Sequence, residues 1–253
     1  MRRLGVVNPF NAAVYHEQTV GSTMDFSRKL ARQEPHGTVI TADFQDNGRG
    51  RVRERSWNSE TGESLLFTIL LRYPRQEEIP PALTLRAGLA AALAIEDFAP
   101  SLAGRVLIKW PNDILINGKK AAGILAEASD GAVFLGMGIN VAQKQFPDFL
   151  SDRAVSVSMA AGREIECEER FILLEKILVR LYDEIETAAS NWKNRIEERL
   201  YKKGENVTFL EGAAGSGKMA PGAICGIGEG GELLVACNEG VKAFITGEII
   251  GIY

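Results

Sequence analysis

The spacing of apolar residues along the chain changes character several times. Residues 14–20 read as a strand, and Ser22 and Asp25 then form an S-x-x-D start signal for a helix through about Gln33. Residues 37–44 alternate in strand fashion, and residues 64–71 form a continuous apolar run of strand length. Between them, residues 45–63 are polar, rich in Gly and Arg and without period, which reads as a long loop. Pro80 and Pro81 precede an Ala/Leu-rich helix over residues 82–99, with Arg86 as its main interior charge.

Residues 106–110, 114–116, 121–128 and 132–141 read as strands. Asn117-Gly118 and Asp130-Gly131 are tight-turn signals, so the last three of these segments should pair antiparallel. Phe171, Leu174, Leu178, Leu181 and Ile185 mark one face of a long amphipathic helix, which Trp192, Ile196 and Leu200 continue. After Lys202-Lys203-Gly204 the texture changes to short strands at 207–210, 223–227, 232–237 and 241–245, separated by glycines. The expected division is a domain over residues 1–203 and a small all-β domain over 204–253.

Composition narrows the class. A chain of 253 residues with 45% hydrophobic and 25% charged content can bury a full core. Its formal charge of −4 gives it no overall attraction to nucleic acid or an anionic membrane. The N-terminus has no sustained apolar segment of a signal peptide, and no apolar run reaches the ~18–20 residues of a membrane span. Cys167, Cys225 and Cys237 are unpaired in pattern, which fits a reducing cytoplasm; with only His16 and His36 beside them, a zinc site is not expected.

Four segments carry candidate chemistry. Gly48-Arg49-Gly50-Arg51-Val52-Arg53-Glu54-Arg55 alternates exposed backbone with guanidinium forks, an anion wrap in an otherwise acidic chain; its bland alternative is a solvated basic loop. In Lys109-Trp110-Pro111-Asn112-Asp113 the proline restricts its neighbour and delivers two polar residues at a strand end, or simply makes a turn. Lys120-Ala121-Ala122-Gly123-Ile124-Leu125 sets an ammonium near a glycine, and Gly136-Met137-Gly138-Ile139-Asn140 puts two glycines in one strand, where something must approach closely or a bulge must form. Gly212–Lys218 matches a P-loop spacing but has Met219 for the required hydroxyl, and Gly226–Gly231 matches a dinucleotide spacing but precedes a strand. Both read as turns.

In order and spacing, Ser22-Thr23, Gln45-x-x-Gly48-Arg49-Gly50-Arg51, Lys109-Trp110-Pro111-Asn112-Asp113, Lys120-x-x-Gly123-Ile124-Leu125 and Gly136-x-Gly138-Ile139-Asn140 resemble the biotin protein ligases, the biotin–acetyl-CoA-carboxylase ligases. The match runs from about Val14 to Val141. It implies a mixed α/β, largely antiparallel sheet with flanking helices, related to class II tRNA-synthetase cores, plus a C-terminal SH3-like barrel. Only a dozen or so residues precede the first strand, which fits the type without an N-terminal DNA-binding domain. Two departures stand out: Met24 replaces the usual Asn after Ser-Thr, and Glu54 adds a negative charge and an extra residue to the loop.

The resemblance further implies biotin and ATP as substrates, Mg²⁺ on the ATP phosphates, a biotinyl-AMP intermediate and a biotin carboxyl carrier protein as acceptor. On that reading Arg51 and Lys120 meet the biotin carboxylate and α-phosphate, with Asp113 orienting the incoming lysine. Arg49, Gly48 and Gly50 cover biotin and the phosphates, and Ser22, Thr23 and Gln45 bond its ureido group. Gly123, Gly136, Gly138 and Ile139 form the wall, while Trp57, Asn112 and Asn140 serve the nucleotide. Residues 48–55 should move when empty and order around the adenylate. Members of the family often dimerise. A lipoate or octanoate ligase of the same fold and a non-catalytic biotin-sensing repressor are the alternatives; neither a helix-turn-helix nor a basic face is visible for the latter.

Overall fold

The computed structural model describes residues 1–51, 57, 60–187, 191–212 and 218–250. The elements in chain order are β1 (Arg2–Arg3), β2 (Val14–Val20), α1 (Thr23–Leu30), β3 (Val39–Gln45), β4 (Ser64–Arg72), α2 (Leu83–Phe98), β5 (Val106–Lys109), β6 (Asp113–Ile116), β7 (Lys119–Ser129) and β8 (Ala132–Asn140). They continue with α3 (Asp148–Ser151), α4 (Val157–Ala161), α5 (Arg170–Ile185), α6 (Trp192–Glu197), β9 (Asn206–Glu211), β10 (Lys218–Ile227), β11 (Leu233–Cys237), β12 (Gly240–Phe244) and β13 (Gly247–Ile250).

Strands β1–β8 form one sheet in the order β1-β2-β3-β4-β8-β7-β6-β5. Only β2 and β3 pair in parallel, as expected of segments joined through a helix rather than a tight turn. Asn117 and Asp130 take φ of 53° and 51°, each followed by a left-handed glycine, and these turns fold β6, β7 and β8 into consecutive antiparallel neighbours.

The continuous apolar run of β4 has its explanation here. It is central, flanked by β3 and β8, and covered on both faces. One face carries Leu65, Phe67, Ile69 and Leu71 into the main core with α2 and α5; the other carries Leu70 into a small cluster with Met24 of α1 and Phe134. Helix α1 starts on Ser22, whose Oγ accepts from the Met24 N–H at 3.2 Å, and it ends at Leu30, short of Gln33. Gln76–Phe98 has the length and mean hydropathy of a membrane span; it is α2 with the turn before it, and 61% of the apolar window is buried in the core.

The second sheet runs in the order β12-β11-β10-β9-β13, all antiparallel. β13 lay outside the strands read from the sequence, and its position fixes the shape. Flat, the outer strands of five would lie about 19 Å apart. Ile245 and Thr246, which join β12 to β13, reach about 10 Å. The sheet must therefore curl toward a barrel, as expected of an SH3-like unit. Phe209, Ile224, Val235, Phe244 and Ile249 from it belong to the same core cluster as α2 and β5, so the small sheet shares the large one's interior. The glycine-rich stretch Gly228-Glu229-Gly230-Gly231 is the β10–β11 turn; residues 213–217 of the P-loop-like segment lie outside the described residues.

Candidate functional site

A pocket opens on the face of the large sheet beside α1, lined by Ser22, Thr23, Met24, Gln45, Arg49, Trp57, Thr68, Leu125, Gly136 and Gly138 among others. It encloses about 370 Å³ of atom-free space, part of it open to solvent. Its inner end is polar. Gln45 Oε1 lies 2.8 Å from the Thr23 N–H and 2.9 Å from Thr23 Oγ1. A backbone N–H can only donate, which fixes the amide orientation and leaves the Gln45 NH₂ to donate elsewhere. Thr23 spends its single hydroxyl proton on Gln45, so the 2.9 Å contact with Thr68 has Thr68 as donor. Thr68 is fully buried, the one hydroxyl in the interior of the apolar β4 run.

The wall beside this end is bare backbone. Strand period puts Gly136 and Gly138 on the pocket face of β8. A Cβ on Gly136 would lie 3.1 Å from Met24 Cε, and one on Gly138 would lie 2.8–3.0 Å from three indole atoms of Trp57. A Cβ on Gly123 of β7 would sit 3.3 Å from the same indole and 3.4 Å from Lys120 Nζ. Trp57 is thus packed flat on two strand glycines, held by its N–H to the Gly48 carbonyl at 3.0 Å. Its Nε1–H is buried with no partner among the described residues.

Lys120 reaches this face through a bulge. The β6–β7 pairing shifts between Ile114 and Leu115, which leaves Ala121 as the extra residue, and Ala121 and Ala122 are both fully buried. An unbroken strand would point residues 120 and 123 to opposite faces. With the bulge, Lys120 Nζ stands beside Gly123 and pairs with Asp113 Oδ1 at 2.6 Å. Arg49 likewise pairs with Asp25 at 2.6 Å, so an incoming anion finds both cations already facing carboxylates.

Other residues named from the sequence sit differently. Arg51 donates to the carbonyl of Gly247 in the small sheet at 2.9 Å instead of joining Lys120. Ile139 is fully buried in the main core: strand alternation turns its side chain away from the face that Gly138 presents, so it is not part of the wall. Asn112 Nδ2 donates to the Ile124 carbonyl at 2.8 Å, and Asn140 Nδ2 to the Val155 carbonyl at 3.3 Å; both amides tie backbone segments together. Met24 is apolar lining, buried against Gly136. Gly50 follows Arg49 half-buried, and residues 52–56 of the loop lie outside the described residues. Met24, Phe67, Thr68, Leu125 and Met137 were not read as lining; only Thr68, a lone polar residue in an apolar run, carried a signal.

Below the pocket, Asp43 of β3 joins Arg170, which is almost wholly buried, and lies 3.3 Å from His16 Nε2. The Gly62 N–H donates to the Asp43 carbonyl at 3.0 Å, which closes the far end of the 45–63 segment onto β3.

Residues 16–143 match the biotin/lipoate A/B protein ligase family. The chain is 34% identical to the bifunctional ligase/repressor BirA of Bacillus subtilis, over 93% of this chain and 73% of that one. It is 31% identical to the biotin–[acetyl-CoA-carboxylase] ligase of Paracoccus denitrificans, over 90% and 96%. The fold superposes on the biotin protein ligase of Aquifex aeolicus, solved with biotin and ATP, with a TM-score of 0.79 at 29% identity, covering 93% of this chain and 97% of that one. With the family matched over half of the chain and relatives of 31–34% identity along nine-tenths of it, the chain belongs to the biotin/lipoate A/B protein ligase family.

Proposed function

We propose that this chain is a biotin–[acetyl-CoA-carboxylase] ligase, which uses ATP to join biotin to a lysine of a biotin carboxyl carrier protein. The observation that carries the reading is a pocket with a hydrogen-bonding end, an apolar and glycine wall, and an ammonium at its rim. A ureido group offers both a carbonyl and N–H groups, which match the Gln45–Thr23–Thr68 end. A dithiolane offers neither, and would leave the Gln45 NH₂, the donor that the Thr23–Gln45–Thr68 network does not use, facing an apolar ring, so a lipoyl substrate is disfavoured.

The chemistry joins two anions. The biotin carboxylate oxygen attacks the α-phosphorus, the bond to the pyrophosphate oxygen breaks, and biotinyl-AMP forms. The acceptor amine then attacks the anhydride carbonyl and releases AMP. Positive charge at the meeting point is the main requirement. Lys120 supplies it from β7. Arg51, whose guanidinium has one hydrogen bond to a neutral carbonyl among the described residues, is assigned as the second cation. Asp113, already on Lys120, is assigned to hold that ammonium and to receive the acceptor amine. Magnesium is assigned to the ATP phosphates and arrives with the nucleotide. The three cysteines are free, in keeping with a cytoplasmic setting.

The test mixes the protein with ATP, magnesium, biotin and an apo carrier domain and follows the carrier's mass. Addition of one biotinyl group is expected. Calorimetry with lipoate against biotin separates the substrates: tighter binding of lipoate would overturn the assignment.

A further inference from the structure

Trp110 lies in the middle of Lys109-Trp110-Pro111-Asn112-Asp113, yet its side chain does not reach the pocket. It is buried, and its Nε1–H donates to the carbonyl of Gly231 at 2.9 Å, across 121 residues of sequence. Its indole packs on Phe209 with centroids 5.9 Å apart, and Phe209 packs in turn on Phe244 at 4.4 Å. The acceptor is itself fixed. Gly231 has φ +94°, its N–H donates to the Gly228 carbonyl at 3.1 Å, and a Cβ on it would lie 2.8 Å from Ala82 Cβ at the start of α2.

On the other side, the segment is laced to the strand that carries the reactive lysine. Asn112 Nδ2 donates to the Ile124 carbonyl, and the Ile124 N–H donates back to the Asn112 carbonyl at 2.9 Å. Asp113 lies in register with Gly123 and pairs with Lys120. Two residues, Pro111 and Asn112, thus separate a bolt into the small sheet from the ion pair at the pocket rim.

We propose that Trp110 is a positioning residue, through which the β10–β11 turn of the small sheet sets the place of Asp113 and, with it, of Lys120. The inference rests on the ligase reading for its catalytic consequence but not for its geometry. The biotin-facing groups Thr23, Gln45 and Thr68 lie on α1, β3 and β4, away from the bolted segment. Loosening the bolt should therefore misplace the cation while leaving biotin recognition intact.

The experiment compares wild type with Trp110→Phe, which keeps an aromatic ring and removes the donor. Two readouts are taken. The first is independent of enzymatic activity: the rate at which a water-soluble amine-acylating reagent modifies Lys120, followed by peptide mass. Freed from a fixed Asp113, Lys120 should react several-fold faster. The second is pyrophosphate release, with kcat expected to fall about tenfold, the effect of losing one buried hydrogen bond, and the biotin KM to stay within twofold. Unchanged Lys120 reactivity would overturn the proposal. So would a parallel loss of kcat, biotin affinity and melting temperature, which marks a merely structural role. If Trp110→Phe fails to fold, Phe209→Leu loosens the same seat from the other side and is read by the same criteria. A wild-type protein that releases no pyrophosphate would count against the ligase reading, and Lys120 reactivity would still decide this one.

Discussion

Replacing Gly138 by alanine tests the pocket wall at its tightest point. The added methyl would sit 2.8–3.0 Å from Cε2, Cδ2 and Cζ2 of Trp57, whereas carbon–carbon contacts settle at about 3.5–4.0 Å. The indole must retreat by roughly 0.5–1 Å. It cannot do so freely, because the Trp57 N–H is held by the Gly48 carbonyl. Overpacking of this kind costs about 1–3 kcal/mol, and here it falls on the pocket rather than on the core, since Gly138 faces the open side of β8. Biotin affinity should fall by roughly 5- to 150-fold, a range set by that energy. Gly123→Ala should do less: its methyl meets Trp57 at 3.3 Å and the mobile end of Lys120 at 3.4 Å. Calorimetric titration with biotin, with a thermal melt of each variant as control, makes the comparison. A Gly138→Ala protein that binds biotin as wild type, or a Gly123→Ala protein that is the more impaired, would refute the steric argument.

Other outcomes follow from the same geometry. Lys120→Ala should lower adenylate formation by roughly 100-fold or more, as loss of a charge-stabilising donor does; near-normal pyrophosphate release by this variant would remove Lys120 from the mechanism. Asp43→Ala leaves Arg170 buried without its carboxylate and should cost about 3–5 kcal/mol in chemical denaturation; a loss under 1 kcal/mol would show that the pair is not structural. Tyr73 offers a contrast. Its hydroxyl is buried without a partner among the described residues, and burial together with the Glu186 carboxylate pushes its pKa far above the ordinary tyrosine range. Tyr73→Phe should therefore be neutral or slightly stabilising in the same assay; its effect should be constant from about pH 6 to 8 and grow more stabilising as pH rises through the ordinary tyrosine range, where the unfolded phenol ionises and the buried one does not.

The sequence alone determined most of the local structure and the inventory of chemistry. Strand and helix periods, the Asn-Gly and Asp-Gly turns and the Ser22 cap depend on residues within a few positions of one another, and most of those elements fall where the pattern puts them, although α1 stops at Leu30 and β10 starts at Lys218, five residues before the apolar run at 223. Glycines at 123, 136 and 138 announced a close approach, and Trp57 is what approaches 123 and 138. What the sequence could not decide were relations across the sheet. The bulge at Ala121 reverses strand parity and delivers Lys120 to the pocket face, a one-residue shift that no local pattern encodes. The face taken by Ile139, the backbone duties of Asn112 and Asn140, and the contact of Arg51 with Gly247 all depend on partners from 12 to 196 residues away. Period two fixes which residues share a face, but only packing fixes which face becomes core and which becomes pocket. The same holds for Trp110, which reads as a core aromatic from its neighbours and becomes a bolt between two sheets only because the chain's last fifty residues curl back to meet it.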